Sequence, residues 1–199
     1  MRVGVLALQG GFAAHVRALV ALGHDAVEVR SAADLDGAEG IVLPGGESSV
    51  MLDLLARDQA LTSALSDRIE RGAPLLATCA GLILSARAVH DPEQRSFAWL
   101  DVAVRRNAWG RQLDSREAVD DAGEHPLVLI RAPRIIAHGP EVEVLATLGG
   151  EPVLVREGPR IGASFHPELT RDLSIHALTF GEVSARRAPT ARPAPLRAA

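Results

Sequence analysis

Lysine is absent from this sequence, tyrosine is absent too, and cysteine occurs once, at position 79. Each absence removes a class of chemistry. Without lysine there is no side-chain amine for a Schiff base with a carbonyl substrate. A lone cysteine forms no intramolecular disulfide, and four-cysteine or mixed Cys/His zinc clusters are excluded with it; neither a metal nor a cofactor is expected. Aromatic residues make up 3% of the chain, too few for the stacking platforms that hold single-stranded nucleic acid. The net charge of −4 leaves no basic surplus, so nucleic acid is not an expected partner. No run approaches the ~20 apolar residues of a membrane span, and a membrane partner is not expected either. The opening "MRVGVLALQGG" lacks the apolar length and small-residue cleavage site of a signal peptide, which points to the cytoplasm.

What is present is ordinary for a soluble domain: 47% hydrophobic and 23% charged residues in a chain of 199, enough for one sizeable core. "RVGVLAL" (2–8) and "APLLAT" (73–78) are apolar runs of the kind buried on both faces of a parallel sheet. Between them, "FAAHVRALVALG" (12–23) has helical spacing, "DAVEVR" (25–30) and "GIVL" (40–43) read as strands, and 49–72 reads as a helix broken near Asp58. Alternating strand and helix with short links predicts an α/β fold with a parallel sheet and helices on both faces. The second half changes to short strand-like runs with glycine and proline turns, and Gly149-Gly150 marks a hairpin, so a mixed sheet is expected there. Residues 172–183 fit a final helix. We expect one domain over 1–183 and a disordered Ala/Arg/Pro tail over 184–199.

Ligands of open α/β sheets bind beyond the carboxyl ends of the strands. Three polar-glycine turns fall at such ends: Gln9-Gly10-Gly11, the "PGGESS" of 44–49, and Thr78-Cys79-Ala80-Gly81. Cys79 sits where a strand passes tightly into a helix, and a helix N-terminus with a glycine behind it favours a thiolate. Against this stands the plain possibility of an inert core cysteine, the commoner case for a lone cysteine in an apolar run. In "SFHPEL" (164–169), Pro167 holds the preceding residue extended. His166 and Glu168 would then point to one side, about 6.5 Å apart at a strand rise of ~3.3 Å per residue, close enough for the carboxylate to orient the imidazole. A surface pair on a turn fits the same spacing. In 43–49, glycines let a backbone N–H approach a ligand oxygen and, with the N–H after Cys79, complete an oxyanion hole. A turn with Glu47 or Ser48 capping the next helix satisfies the same residues.

Taken together, "LALQGGFAAH", "VLPGGESSVM", "LLATCAGLILSA", "VRRNAWGRQLDS", "LVLIRAPRI" and "GASFHPEL" resemble, in this order, the glutaminase subunits of pyridoxal 5′-phosphate synthase, a branch of the triad-type (class I) glutamine amidotransferases. The resemblance covers about residues 2–181. It implies a flavodoxin-like open sheet with a parallel core and antiparallel additions. It implies hydrolysis of L-glutamine to L-glutamate and ammonia through a γ-glutamyl thioester. The ammonia would pass to a separate synthase subunit that builds pyridoxal 5′-phosphate from ribose 5-phosphate and glyceraldehyde 3-phosphate. By position, Cys79 matches the nucleophile, His166 the base and Glu168 its orienter. Gly46, Glu47, Ser48, Arg106, Ile130 and Arg131 match glutamine contacts. The backbones of Gly46 and Ala80 match the oxyanion hole, and Gln9 and Gly10 match the loop that meets the partner. Many related enzymes carry glycine two residues before the nucleophile; here it is Ala77, as in the synthase-linked branch. A cysteine peptidase of related fold and a non-enzymatic flavodoxin-like module are the alternatives.

Overall fold

The computed structural model describes residues 1–106, 108 and 116–182. Twelve strands and five helices are assigned among these residues: β1 Arg2–Leu6, α1 Phe12–Ala21, β2 Asp25–Val29, β3 Gly40–Leu43, α2 Ser48–Arg57, α3 Gln59–Glu70, β4 Leu75–Thr78 and α4 Ala80–Ser85 in the first half. The second half holds β5 Ala86–His90, β6 Leu100–Arg105, β7 Arg116–Val119, β8 Pro126–Leu129, β9 Arg134–His138, β10 Glu143–Leu148, β11 Glu151–Glu157, β12 Arg160–Ala163 and α5 Ser174–Phe180. The expected tail, 184–199, and most of the "RRNAWGRQLDS" stretch lie outside the described residues.

The main sheet has seven strands in the order β10-β11-β12-β4-β3-β1-β2. Five of them, β2-β1-β3-β4-β12, run parallel, which is the flavodoxin-like order with β12 as the fifth strand. β11 and β10 extend it antiparallel. The α/β fold with a parallel core and antiparallel additions is therefore the one expected. The second half also forms a three-stranded sheet, β5-β6-β9, and the separate pair β7-β8.

The alternation of side chains along a strand decides which helices each face buries. Val42 of β3 and Leu76 of β4 join Leu19 of α1 with Ile175 and Phe180 of α5 in one core cluster. Their neighbours Ile41, Leu43, Leu75 and Ala77 join Met51 and Leu55 of α2 with Leu61, Leu65 and Ile69 of α3 in another. Every residue of β3 and of β4 is buried, as a strand covered on both faces requires. The order of strands also leaves a switch point between β1 and β3, with the turns at 9–11 and 44–47 at its mouth and Cys79 one strand away.

Several local signals hold. α2 ends at Arg57, and the Asp58 carboxylate accepts the Leu61 N–H at 2.9 Å to start α3. Gly149 and Gly150 both take positive φ between β10 and β11. The last helix is shorter than expected. Asp172 accepts the Ser174 N–H at 2.9 Å and so starts α5 there, and Gly181, at φ 73°, ends it.

Asp58→Ala removes the cap between α2 and α3. Chemical denaturation should register a loss of about 0.5–2 kcal/mol, with no change in activity because Asp58 is remote from the site described below.

Candidate active site

Cys79 occupies the single residue between β4 and α4 and has φ 47° and ψ −102°. A non-glycine residue adopts such a backbone only when its surroundings impose it. The Cys79 N–H donates to the Ala163 carbonyl of β12 at 2.9 Å, and its carbonyl accepts the Ile83 N–H of α4 at 3.1 Å. Gly81 lets α4 pack directly on β3, since a Cβ there would stand 2.0 Å from the Leu43 carbonyl oxygen. The thiol is buried, with Sγ 3.9 Å from the Ile130 carbonyl oxygen.

His166 and Glu168 follow β12. Their backbone is not extended as expected: Pro167–Leu169 is a 3-10 turn with His166 as its N-terminal cap residue. Proline at the first position suits a helical turn, because its missing N–H has no partner to lose there. The turn brings the side chains together more closely than a strand would, and Glu168 Oε1 lies 2.8 Å from His166 Nδ1. That leaves the other ring nitrogen free to serve the Cys79 thiol, whose charge acts on the His166 ring. Burial works against a charged His166 ring, but the hydrogen bond it donates to Glu168 and the negative charges of Cys79 and Glu168 outweigh it and raise its pKa from 6.5 to about 10. Burial likewise opposes the Glu168 anion, yet His15 beside it and the hydrogen bond and charge of His166 hold its pKa below the usual carboxylate value.

Beside the thiol, Gly46, Glu47, Ser48, Cys79, Ile83, Arg106, Ile130 and Arg131 line a narrow cleft. Every expected glutamine-contact residue is among them. Ala80, named for its backbone, is buried behind them, and Gln9 and Gly10 line an adjoining open cleft with His166 and Glu168. Glu47 Oε1 accepts from Arg106 Nη2 at 3.1 Å and from the Ser49 N–H at 3.3 Å, with Arg131 Nη1 3.9 Å from Oε2. The cleft wall thus presents an acid beside two guanidinium groups. Two tethers hold the 44–47 turn in place. Gln9 Oε1 accepts the Glu47 N–H at 2.7 Å, and Gly45 lies so close to His166 that a Cβ would stand 2.3 Å from the ring's Cε1. A roomier groove between β7, β8 and Leu169 is lined by apolar side chains apart from Glu117 and Thr170.

Sequence reasoning missed four residues. Ile83 adds an apolar wall to the cleft. Thr78, His15 and His176 form a buried polar layer behind Glu168. His15 stands inside the "LALQGGFAAH" run, but nothing local distinguishes it from a histidine on a helix. Burial lowers both His15 and His176 to about 4, with the charges of Glu168 and, for His176, Asp172 opposing.

A model of the SNO glutamine amidotransferase family matches residues 5–183. The chain is 51% identical over 186 residues to the pyridoxal 5′-phosphate synthase subunit PdxT of Corynebacterium glutamicum, covering 88% of this chain and 92% of that protein. It is 43% identical over 181 residues to the protein of the same name from Thermotoga maritima, covering 88% and 96%. Among solved structures, one described as a glutamine amidotransferase superposes with a TM-score of 0.81 at 43% identity, covering 89% and 96%. A more distant glutamine amidotransferase from Thermotoga maritima shares the fold at TM-score 0.57 and 13% identity, covering 84% and 76%.

The buried histidines set the pH response of stability, with opposite signs. His15 and His176, at about 4 in the fold against about 6.5 unfolded, contribute stability fully above pH 6.5 and lose it as pH falls towards 4. His166, raised to about 10, contributes fully below pH 6.5 and loses that contribution as pH rises through 10. Denaturation across pH should therefore show His166→Asn flattening the alkaline limb and sparing the acid limb. An alkaline limb unchanged in the variant would contradict the His166 assignment.

Proposed function

This chain belongs to the SNO glutamine amidotransferase family, and from that premise we propose that it is the glutaminase subunit of a pyridoxal 5′-phosphate synthase. It hydrolyses L-glutamine to L-glutamate and ammonia and supplies the ammonia to a synthase subunit. The observation that supports the chemistry is Cys79 on the wall of a charge-lined cleft, with its charge acting on a His166 ring that is hydrogen-bonded to Glu168.

The Cys79 thiolate attacks the side-chain carboxamide carbon of glutamine. Backbone N–H groups of Gly46 and Ala80 receive the oxyanion. The raised pKa of His166 keeps its ring protonated at neutral pH, which is the form needed to give a proton to the departing nitrogen. Ammonia leaves and a γ-glutamyl thioester remains. Acylation removes the sulfur's charge, one of the influences that held the His166 proton. The ring then becomes a competent base, takes a proton from water, and the hydroxide expels the Cys79 thiolate and frees glutamate. Glu47, Arg106 and Arg131 fit the other end of the substrate. The acid answers the α-ammonium group and the guanidinium groups answer the α-carboxylate, with Ser48 and the Ile130 carbonyl alongside.

Gln9 and Gly10 stand at the mouth of the adjoining cleft, where a synthase subunit would meet the site and complete the oxyanion hole in a hetero-oligomer. Among the described residues no helix is long and apolar enough to cross a membrane. A reducing cytoplasm suits an enzyme whose one thiol must stay free to act.

The test is an ammonia-release assay with L-glutamine, with and without the synthase subunit. Wild type should release ammonia, faster with the subunit present, and Cys79→Ser should lose about 10³-fold or more. A cysteine peptidase or an inert module would release none. A Cys79→Ser variant at the wild-type rate would remove the triad from the account.

A further inference from the structure

Behind the triad lies a polar cluster that touches neither cleft. His15 of α1 and His176 of α5 are wholly buried. His15 Nδ1 lies 2.9 Å from His176 Nε2. His15 Nε2 lies 3.3 Å from Thr78 Oγ1, the last residue of β4, and 3.3 Å from Glu168 Oε2. The two oxygens of Glu168 therefore differ. Oε1 takes the His166 ring. Oε2 is buried and accepts no well-aligned hydrogen bond; it faces His15 Nε2 in the gap beside Thr78.

The charge on Glu168 dictates where the protons of the pair must sit. A bare lone pair on His15 Nε2 would confront a buried carboxylate oxygen, so Nε2 carries the hydrogen. His15 Nδ1 is then an acceptor, and His176 Nε2 must be its donor. That leaves His176 Nδ1 as a bare nitrogen, and this is the buried ring atom without a partner. This tautomer chain accounts for the His15–His176 and His15–Thr78 contacts, leaves His176 Nδ1 as the bare ring nitrogen, and turns the His15 N–H towards the otherwise unpaired Glu168 Oε2.

We propose that His15 and His176 are positioning residues: the buried imidazole pair presents one N–H to the Thr78 hydroxyl and to the outer oxygen of Glu168, and so keeps the inner oxygen on His166. The proposal rests on the Cys79, His166, Glu168 triad described above. His166 and His15 face Glu168, and Glu168, Asp172 and His15 face His176. Burial keeps both imidazoles neutral at working pH. The pair thus supplies a dipole and not a second cation, which would compete with His166 for the carboxylate.

The test compares His15→Gln with His15→Asn, assayed with the synthase subunit present. Glutamine places an amide N–H where Nε2–H stands, whereas asparagine reaches only to the Nδ1 position. We expect His15→Gln to keep kcat within about 3-fold and His15→Asn to lose about 10–100-fold with KM unchanged, the usual worth of a group that orients a catalytic ligand. ¹⁵N-histidine NMR should show the His166 titration midpoint falling in His15→Asn and not in His15→Gln. His176→Leu, which removes the donor to His15 Nδ1, should give the same NMR signature with a smaller loss, and it serves if His15→Asn does not fold. Equal kcat in the two His15 variants, or an unmoved His166 midpoint in both His15→Asn and His176→Leu, would overturn the proposal. Cys79→Ser is the control: if it is inactive while His15→Asn matches wild type, only the positioning role fails, and if it is active the triad fails too.

Discussion

Everything at this site depends on one backbone conformation, the left-handed turn of Cys79 at the end of β4. It is unfavourable for a residue with a Cβ by about 1–3 kcal/mol, and the neighbouring structure holds it. β12 binds the Cys79 N–H, α4 binds its carbonyl, and Gly81 lets α4 lie against the β3 backbone. The turn lifts the sulfur off the strand axis towards the cleft. Because β12 both anchors that turn and leads within three residues to His166, the proposed nucleophile and base are placed by the same strand. A distortion of β12 would therefore move both.

Electrostatics complete what the backbone begins. Two buried acid–base neighbours, Cys79 and Glu168, keep a proton on His166 against the cost of burying the charge. In the proposed reaction the site is thereby set for the departure of ammonia before substrate arrives, and it loses that bias once the sulfur is acylated. The opposite treatment of His15 and His176, which burial keeps neutral, shows how position decides the protonation of imidazoles within one small region.

Much of this was legible in the sequence where the determinant is local. The apolar runs of β1 and β4 announced strands covered on both faces, Asp58 announced the break between α2 and α3, and the two glycines announced the β10–β11 hairpin. Cys79, His166 and Glu168 were singled out from residue type, spacing and resemblance, and the structure sets His166 against Glu168 and puts Cys79 on the cleft wall. The path of the backbone between His166 and Glu168 was misjudged, because Pro167 fits the first position of a 3-10 turn as well as it fits an extended segment. What depends on pairing across the chain was not legible. The pairing of β12 with β4, the tie of Gln9 to the Glu47 N–H, and the meeting of His15 with His176 across 161 residues leave no periodic or compositional trace.

The account stands on covalent attack by Cys79. The protein would be mixed with L-glutamine, quenched in acid within the turnover time and mapped by peptide mass spectrometry. A γ-glutamyl adduct on the peptide bearing Cys79, absent from Cys79→Ser, is the predicted result. Ammonia released with that peptide never modified, or with the adduct on another residue, would contradict it.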